Sequence, residues 1–207
     1  MNKDIVLIAG GNSLLGDKLS EKYIAKKYQV VIISRNLFSV SSDKIYLKHD
    51  LSKSLNLDHI NDIIPNFTSR LKIIIHVIGG YIKTTNILEA NSYYYEKFVL
   101  SYFNLILDLK NIIKINNGYI LYLSSQMLEN MNFNNFSYCS SKLQGENITK
   151  IIAKEFHTSQ AQALNIRLKQ FTYKNDNEKT NSTIDKISNE ITKLTESTYN
   201  NGCTVIL

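Results

Sequence analysis

Proline and glycine are scarce in this sequence, which has one proline and eight glycines among 207 residues. That scarcity excludes collagen-like chains and proline-rich low-complexity chains. No run of about 18 apolar residues occurs, so the sequence predicts no membrane-spanning helix. The first residues also lack the long apolar region and the small-residue cleavage site of a signal peptide. We therefore expect a cytoplasmic protein.

Cysteine is also rare. Cys139 and Cys203 lie far apart and form no Cys-x-x-Cys motif, which argues against a disulfide framework and against a zinc site. The four histidines are scattered and show no metal-binding spacing; they are His49, His59, His76 and His157. We therefore predict that the protein has no metal site.

The charge is basic but dispersed. Lysine and arginine total 24 against 18 acidic residues, a formal net charge of +6. Such a balance can favour nucleic acid or another polyanion. The lysines, however, are spread over the whole chain, and no basic tail exists. We favour a solvated basic surface suited to an anionic ligand, and nucleic-acid binding remains the alternative that the charge alone supports.

The chain alternates two kinds of hydrophobic pattern. Continuous apolar runs, typical of strands buried on both faces, occur at residues 4–9, 29–34, 44–48, 72–78, 118–124, 165–169 and 203–207. Helical spacing occurs at residues 15–24, 57–64, 92–115, 138–157 and 183–196, with Pro65 ending the second of these helices. The polar residues 174–183 are interpreted as a loop.

Strands that alternate with helices predict an α/β fold with a parallel sheet covered on both faces. Right-handed crossovers then give a doubly wound sheet of about seven strands. The composition is that of an ordinary globular protein, with 43% hydrophobic and 20% charged residues. Since neither a repeat nor a linker is visible, we expect a single domain over residues 1–207.

A glycine-containing loop joins the first strand to the first helix. Gly10 suits a tight turn with positive φ, and Gly16 lets the helix pack closely on the strand. The free N–H groups and partial positive charge of the helix N-terminus can hold a pyrophosphate. The candidate cofactor-binding residues here are Gly10, Asn12, Ser13, Leu15 and Gly16. The alternative is a glycine turn without a ligand.

The end of the second strand indicates which dinucleotide is bound. A ribose 2′-hydroxyl is matched by a carboxylate at this point, whereas a 2′-phosphate is matched by a cation. The chain has Ser34 and Arg35 there and no acid. This pattern favours NADP(H) over NAD(H), with an ordinary surface arginine as the alternative interpretation.

Three side chains form a second constellation. Tyr138 and Lys142 are four residues apart and therefore share one helical face, and Ser125 ends a buried strand 13 residues before Tyr138. With the N-terminal glycine loop, this arrangement resembles the short-chain dehydrogenase/reductase superfamily over essentially the whole chain. The resemblance implies a Rossmann-like fold and a catalytic Ser125, Tyr138 and Lys142.

The resemblance also implies roles for further residues. Gly10 and Gly16 match the first and last glycines of the family's loop, and Arg35 matches its NADP-preferring position. Asp50 would contact the adenine amine with Leu51 beside it, and Gly79 would line the adenosine side. The residues implied to bind the cofactor are thus Gly10, Asn12, Ser13, Leu15, Gly16, Ser34, Arg35, Asp50, Leu51, Gly79, Tyr138 and Lys142.

Several positions depart from the family pattern. Ala9 and Leu14 replace the threonine and the middle glycine of the loop. The catalytic asparagine is missing from residues 99–102, where it is expected, and Asn104 is the nearest candidate. The Pro-Gly after the sixth strand is absent too, so a reduced substrate lid is expected, with residues 126–137 and 173–182 around the substrate.

The residue types suit the reduction of a carbonyl or the oxidation of an alcohol. A phenol can donate a proton to the carbonyl oxygen, and a serine hydroxyl can donate a hydrogen bond to it. A nearby Lys142 ammonium is expected to lower the pKa of Tyr138. The alternative function is a non-catalytic, nucleotide-binding regulator or assembly protein, which the departures favour.

The resemblance further implies a homodimer or homotetramer built on the helices at residues 92–115 and 138–157. The residues expected to form that seam are Leu105, Leu109, Ile148 and Ile152. The identity of the small carbonyl or alcohol substrate is not encoded in any motif of the sequence.

Overall fold

The computed structural model describes residues 3–36, 44–80, 87–169 and 177–207. They form one seven-stranded parallel sheet with the strand order β3-β2-β1-β4-β5-β6-β7. The strands are β1 (Ile5–Ala9), β2 (Gln29–Ser34), β3 (Lys44–Lys48), β4 (Leu71–His76), β5 (Tyr119–Ser125), β6 (Gln162–Leu168) and β7 (Thr204–Ile206). The expected doubly wound α/β sheet of seven strands is confirmed.

Helices connect these strands. They are α1 (Leu14–Ala25), α2 (Leu57–Ile63), α3 (Phe67–Arg70), α4 (Ile87–Tyr94), α5 (Ser101–Ile115), α6 (Phe136–Glu155) and α7 (Asn177–Leu194). A wider π-helical turn, Tyr95–Leu100, joins α4 to α5, and two 3₁₀ turns, Gln126–Asn130 and Phe133–Asn135, precede α6. No helix in these described ranges has the length and apolar character needed to cross a bilayer.

Two of these boundaries differ from the sequence prediction. The helix predicted over residues 92–115 is divided by the π-helical turn. The polar stretch interpreted as a loop over residues 174–183 is helical from Asn177 onward, where α7 begins. That prediction was wrong because the first turns of α7 are almost entirely polar, so they carry no hydrophobic period.

The apolar runs are buried because helices cover both faces of the sheet. On one face, α1 and α7 pack on the strands, with Leu19, Tyr23 and Ile191 fully buried. On the other face, α5 and α6 bury side chains such as Leu105 and Leu109. Each such burial is worth about 1.5–3 kcal/mol, so the covered sheet accounts for the alternation of patterns in the sequence.

Gly145 permits an unusually close approach of α6 to the sheet. A Cβ atom at this position would lie 2.2 Å from the hydroxyl oxygen of Tyr122 on β5. Any larger residue would push the helix away from the strand. This contact sets the depth of the residues one turn earlier on α6, including Lys142.

The strand order reverses between β1 and β4. From β1 the chain winds outward to β2 and β3, and from β4 it winds outward to β5, β6 and β7. In open parallel sheets, ligands bind at the carboxyl ends of the strands beside such a reversal. We therefore expect a ligand-binding site to be lined by the residues that follow β1, β2, β3 and β4.

Candidate active site

The turn after β1 has a backbone that requires glycine. Gly10 has φ of +80°, and its N–H donates to the carbonyl oxygen of Ile33 at 3.0 Å. A Cβ atom at Gly10 would lie 2.7 Å from Cγ1 of Ile78. The turn therefore brings the ends of β1, β2 and β4 together without an intervening side chain.

The first helix begins directly against this turn. Ser13 is its N-cap, and the Ser13 Oγ accepts a hydrogen bond from the N–H of Gly16 at 3.1 Å. A Cβ atom at Gly16 would lie 2.6 Å from the Gly11 backbone, so glycine is needed for this packing. Leu14, which replaces the family's middle glycine, is 38% exposed and points away from the packed turn. The start of α1 keeps the geometry of an anion-binding helix N-terminus.

A cavity of about 280 Å³ opens beside the turn at the carboxyl ends of β1 to β4. The predicted cofactor residues that line it are Gly10, Ser13, Ser34, Arg35, Asp50, Leu51 and Gly79. The other predicted residues, which are not in its lining, are Asn12, Leu15, Gly16, Tyr138 and Lys142. The structure thus brings together predicted cofactor residues from four separate segments of the chain.

Arg35 and Asp50 face the cavity from neighbouring strand ends. The pKa of Asp50 is lowered, first because its carboxylate accepts a hydrogen bond from the Ser52 N–H and also because Arg35 lies near. Asn12 connects the glycine loop to the same region, since its amide donates to Ser34 Oγ at 2.7 Å and to the Asn36 carbonyl oxygen. The end of the cavity at β2 is therefore polar and carries an exposed guanidinium.

The opposite wall of the cavity was missed by the sequence analysis. It is formed by Tyr93, Glu96, Lys97 and Ser101, which come from α4, the π-helical turn and the start of α5. The Lys97 ammonium lies 4.7 Å from the centre of the Tyr93 ring and donates to its hydroxyl. The four-residue spacing of Tyr93, Lys97 and Ser101 was the one signal in the sequence that points to this wall.

Ser125 and Tyr138 are brought together by the path between β5 and α6. Ser125 is the last residue of β5 and Tyr138 lies in the first turn of α6, and their side chains are hydrogen-bonded. Burial raises the pKa of Tyr138, and the hydrogen bond with Ser125 opposes that rise. The phenol is therefore protonated at neutral pH and is placed to donate a proton.

Lys142 lies one helical turn after Tyr138 and is 3% exposed. Its ammonium donates to the carbonyl oxygens of Leu123, at 3.0 Å, and Ile78, at 3.2 Å. Burial lowers the pKa of Lys142 to about 7. The structure does not show the expected lowering of the Tyr138 pKa by Lys142, because burial dominates for both groups and moves their pKa values further apart.

Aromatic rings pack around Tyr138 and Lys142 from residues just before positions 99–102, where the family's asparagine was expected. Phe98 lies on the π-helical turn, fully buried, with the Lys142 ammonium 4.7 Å from its ring centre. The rings of Tyr94 and Phe98 pack edge-on against Tyr138, at centroid distances of 5.5 and 6.1 Å. Asn104 is directed elsewhere, since its amide donates to the Leu51 carbonyl oxygen at 3.2 Å. The weak candidate for the asparagine role is therefore placed away from Lys142.

Beneath these groups lies a buried polar row. His76 is fully buried, its Nε2 lies 3.1 Å from Ser101 Oγ, and its ring contacts Tyr102 and Tyr122. Burial holds the pKa of His76 well below its usual range, so the imidazole is neutral. Four buried polar atoms have no hydrogen-bond partner among the described residues: His76 Nδ1, Tyr122 OH, Ser124 Oγ and Asn165 Oδ1.

Only part of the predicted dimer interface faces the surface. Leu105 and Leu109 are fully buried against the sheet, Ile152 is 6% exposed, and Ile148 packs on the same core. The apolar residues that are exposed on this side are Phe103, Leu107 and Ile151, which line a groove between α5 and α6. The prediction was wrong for Leu105 and Leu109, because α5 is apolar on more than one face, whereas Ile148 and Ile152 line this groove together with the exposed residues.

The fold and this site define a class of protein: an α/β oxidoreductase with a glycine turn at the first strand and a Tyr-x-x-x-Lys helix. A family model described as short chain dehydrogenase matches residues 4–179. The chain therefore belongs to the short-chain dehydrogenase family. No curated protein matches the chain.

Solved structures share the fold at low sequence identity. ElxO with NADP bound is 17% identical, with a TM-score of 0.82, covering 99% of this chain and 96% of its own. A short chain dehydrogenase from Leptospira borgpetersenii with bound NAD⁺ is 18% identical, with a TM-score of 0.82 and coverages of 100% and 91%. The Cj0485 dehydrogenase is 15% identical, with a TM-score of 0.80 and coverages of 99% and 92%.

Proposed function

We propose that this protein is an NADP(H)-dependent oxidoreductase that interconverts a small carbonyl compound and its alcohol. The observation that carries the proposal is the hydrogen-bonded Ser125–Tyr138 pair, with Lys142 one turn along α6 and Ile78 linking Lys142 to the cavity. Proposed as the catalytic residues are Ser125, Tyr138 and Lys142.

The residues of the cavity fit a dinucleotide. Gly10 and the N-terminus of α1 suit the pyrophosphate, because the turn starts with two glycines and leads directly into the first N–H groups of the helix. Asp50 and Leu51 suit the adenine, and Arg35 suits a 2′-phosphate, since a guanidinium binds phosphate oxygens bidentately. Among similar structures, ElxO holds NADP and the Leptospira protein holds NAD⁺, so the choice between the two rests on Arg35.

The chain's own groups would handle the proton and the charge. Tyr138, protonated at neutral pH, donates its hydroxyl proton to the oxygen of the carbonyl substrate. Ser125 donates a hydrogen bond to the same oxygen and stabilises the charge that develops there. Lys142 orients the ribose hydroxyls of the cofactor, whose nicotinamide supplies the hydride. The Phe98 and Tyr94 rings exclude water from behind Tyr138.

The proposal is tested by incubating the purified chain with NADPH and a panel of aldehydes, ketones and 3-oxoacyl thioesters. Substrate-dependent loss of the 340 nm absorbance supports it. If NADPH binds firmly but no member of the panel is reduced, and no alcohol is oxidised with NADP⁺, the proposal fails.

The contacts of Lys142 favour a second candidate function. Its ammonium is engaged by two backbone carbonyls and covered by Phe98, so it is well placed to hold the fold together without turnover. The protein would then be a nucleotide-binding regulator or assembly protein. Firm NADPH binding that is unchanged in Tyr138→Phe, without activity in either form, would support this function over the enzyme.

We further propose that the protein is a cytoplasmic homodimer or homotetramer, joined through the groove between α5 and α6. The groove is lined by the exposed apolar residues Phe103, Leu107 and Ile151, and the Lys110–Glu155 ion pair flanks it. A second copy can bury this apolar face against its own. Light scattering at micromolar concentration should therefore give at least twice the monomer mass.

A further inference from the structure

A buried ion pair lies one helical turn beyond Lys142. Glu146 on α6 is fully buried, and its two carboxylate oxygens accept hydrogen bonds from Nε and the terminal nitrogen NH2 of Arg167 on β6, both at 2.8 Å. Arg167 is partly exposed, but burying the Glu146 carboxylate is costly, and an ion pair around a buried charge is often no more stabilising than apolar residues of the same volume. Stability alone therefore does not account for this pair.

The pair lies between the candidate catalytic residues and the turn after Ser125. Arg167 is paired in register with Ser124, the neighbour of Ser125 on β5. Its remaining terminal nitrogen is 3.8 Å from the carboxylate of Glu129, in the turn that follows Ser125. On the other side, Glu146 is four residues after Lys142 and therefore lies on the same face of α6.

Lys142 is surrounded by groups of low charge apart from Glu146. His76 on β4 is neutral because burial lowers its pKa, and Tyr122 on β5 and Tyr138 on α6 are neutral because burial raises theirs. The π-helical turn contributes the uncharged ring of Phe98. Among the described residues that face Lys142, Glu146 supplies the negative charge, and it raises the pKa of Lys142 against the effect of burial.

We propose that Glu146, held by Arg167, is a positioning residue that keeps the Lys142 ammonium charged in its buried position. The inference rests on the proposed function in one respect: a charged Lys142 is the form that binds the ribose hydroxyls. Arg167 balances the charge of the buried carboxylate, and a lysine at that position would balance it too. Without that charge, the lysine would already lose its proton below pH 7, and its three donors would be reduced to two.

The two halves of the pair should then have different effects. Glu146→Gln keeps the size and the hydrogen bonding of the side chain but removes its charge. Arg167→Lys keeps a positive charge beside the carboxylate but loses the fork. A pair that served only to hold α6 on β6 would respond to both substitutions alike, through the melting temperature, and would leave the lysine unaffected.

The experiment titrates Lys142 directly by NMR in protein labelled with ¹³C at lysine Cε, with the Lys142 signal assigned by its loss in Lys142→Met. In Glu146→Gln, the titration midpoint should fall by about 1 pH unit or more, the size of shift that a neighbouring opposite charge produces. In Arg167→Lys it should stay near the midpoint of the unmodified protein. NADPH affinity measured at pH 6 and pH 8 should fall selectively at pH 8 in Glu146→Gln.

The inference is overturned if the Lys142 midpoint is the same in Glu146→Gln as in the unmodified protein, or if Arg167→Lys shifts it equally. If Glu146→Gln does not fold, the double variant Glu146→Gln/Arg167→Gln is used instead, because it leaves no unpaired charge. Its Lys142 titration midpoint should fall in the same way. A shifted midpoint without NADPH oxidation by the unmodified protein would leave the role of Glu146 standing and overturn the proposed function instead.

Discussion

The Lys142 ammonium lies 4.7 Å from the centre of the Phe98 ring and 5.3 Å from the centre of the Tyr122 ring. With the carbonyl oxygens of Leu123 and Ile78, these rings enclose the charge almost completely. Cation–π contacts of a desolvated ammonium are worth about 2 kcal/mol. The groups in contact with this ammonium are therefore rings and backbone carbonyls, and they do not offset the cost of burial, since the pKa of Lys142 is lowered.

This enclosure predicts how stability depends on pH. The pKa of Lys142 is lowered to about 7 in the folded protein from an ordinary value of 10.5. Between these values the unfolded chain binds the extra proton, so the contribution of Lys142 to the free energy of unfolding rises with pH, by up to about 1.4 kcal/mol per pH unit. Below pH 7 both states are protonated and the contribution is constant.

Lys142→Met should abolish that rise. Chemical unfolding of both proteins at pH 6 and pH 9 measures this effect. The free energy of unfolding of the unmodified protein minus that of the variant should be larger at pH 9 than at pH 6. An equal difference at the two pH values would contradict the lowered pKa.

Cofactor choice is expected to depend on Arg35. NADPH should bind more tightly than NADH by about 1–3 kcal/mol, because the 2′-phosphate gains a charge-assisted hydrogen bond. Arg35→Ala should remove most of that gap, whereas Lys48→Ala, which deletes an exposed charge outside the cavity lining, should preserve it. Fluorescence titration of both nucleotides measures the gap, and equal affinities in the unmodified protein would refute the NADP(H) preference.

The hydroxyl of Tyr138 is expected to carry the proton. Tyr138→Phe should leave folding and nucleotide binding nearly intact and lower turnover by about 10²–10⁴, the range for a positioned acid–base group. Tyr95→Phe, which removes the hydroxyl of an exposed tyrosine, is the matched control. Ser125→Ala should also lower turnover with little change in NADPH affinity. A Tyr138→Phe protein as active as the unmodified one would show that the mechanism is wrong.

Self-association should depend on the groove between α5 and α6. Leu107→Glu places a charge in its apolar face and should give a monomer at micromolar concentration. Ile115→Glu changes an even more exposed residue, 80% accessible, that is outside the groove lining, and should leave the assembly intact. Light scattering measures the mass of both variants in solution. A monomeric unmodified protein would exclude this interface.

The loss of a hydroxyl should affect thermal stability differently at two buried tyrosines. Tyr122 OH has no hydrogen-bond partner among the described residues, so Tyr122→Phe should keep or raise the melting temperature, because an unsatisfied buried hydroxyl is costly. Tyr102 OH lies 2.8 Å from Thr149 Oγ1, so Tyr102→Phe should cost about 1 kcal/mol. Thermal unfolding compares them; a lower stability for Tyr122→Phe would indicate a bound water at its hydroxyl.

Much of the fold was predictable because its strands are buried on both faces. The continuous apolar runs at β1, β2 and β4 predict strands that are buried on both faces. All seven strands lie near their expected bounds. The four-residue spacing of Tyr138 and Lys142 similarly placed both on one face of α6.

The parts that were missed depend on contacts that no local pattern records. Apolar residues occur all around α5, so periodicity did not distinguish the buried Leu105 from the exposed Leu107. Glu146 and Arg167 are 21 residues apart and meet only when α6 packs on β6. The contact between Phe98 and Lys142 likewise depends on the π-helical turn, which no pattern in the sequence predicts.

That wider turn has a consequence for the shape of the cavity wall. In a straight α-helix a step of four residues overshoots a full rotation by about 40°, so Tyr93, Lys97 and Ser101 would fan out sideways. The π-helical turn between Tyr95 and Leu100 unwinds the helix locally and offsets that drift. The three side chains can therefore follow a nearly straight line along the cavity wall. Such a row suits contact with an elongated ligand.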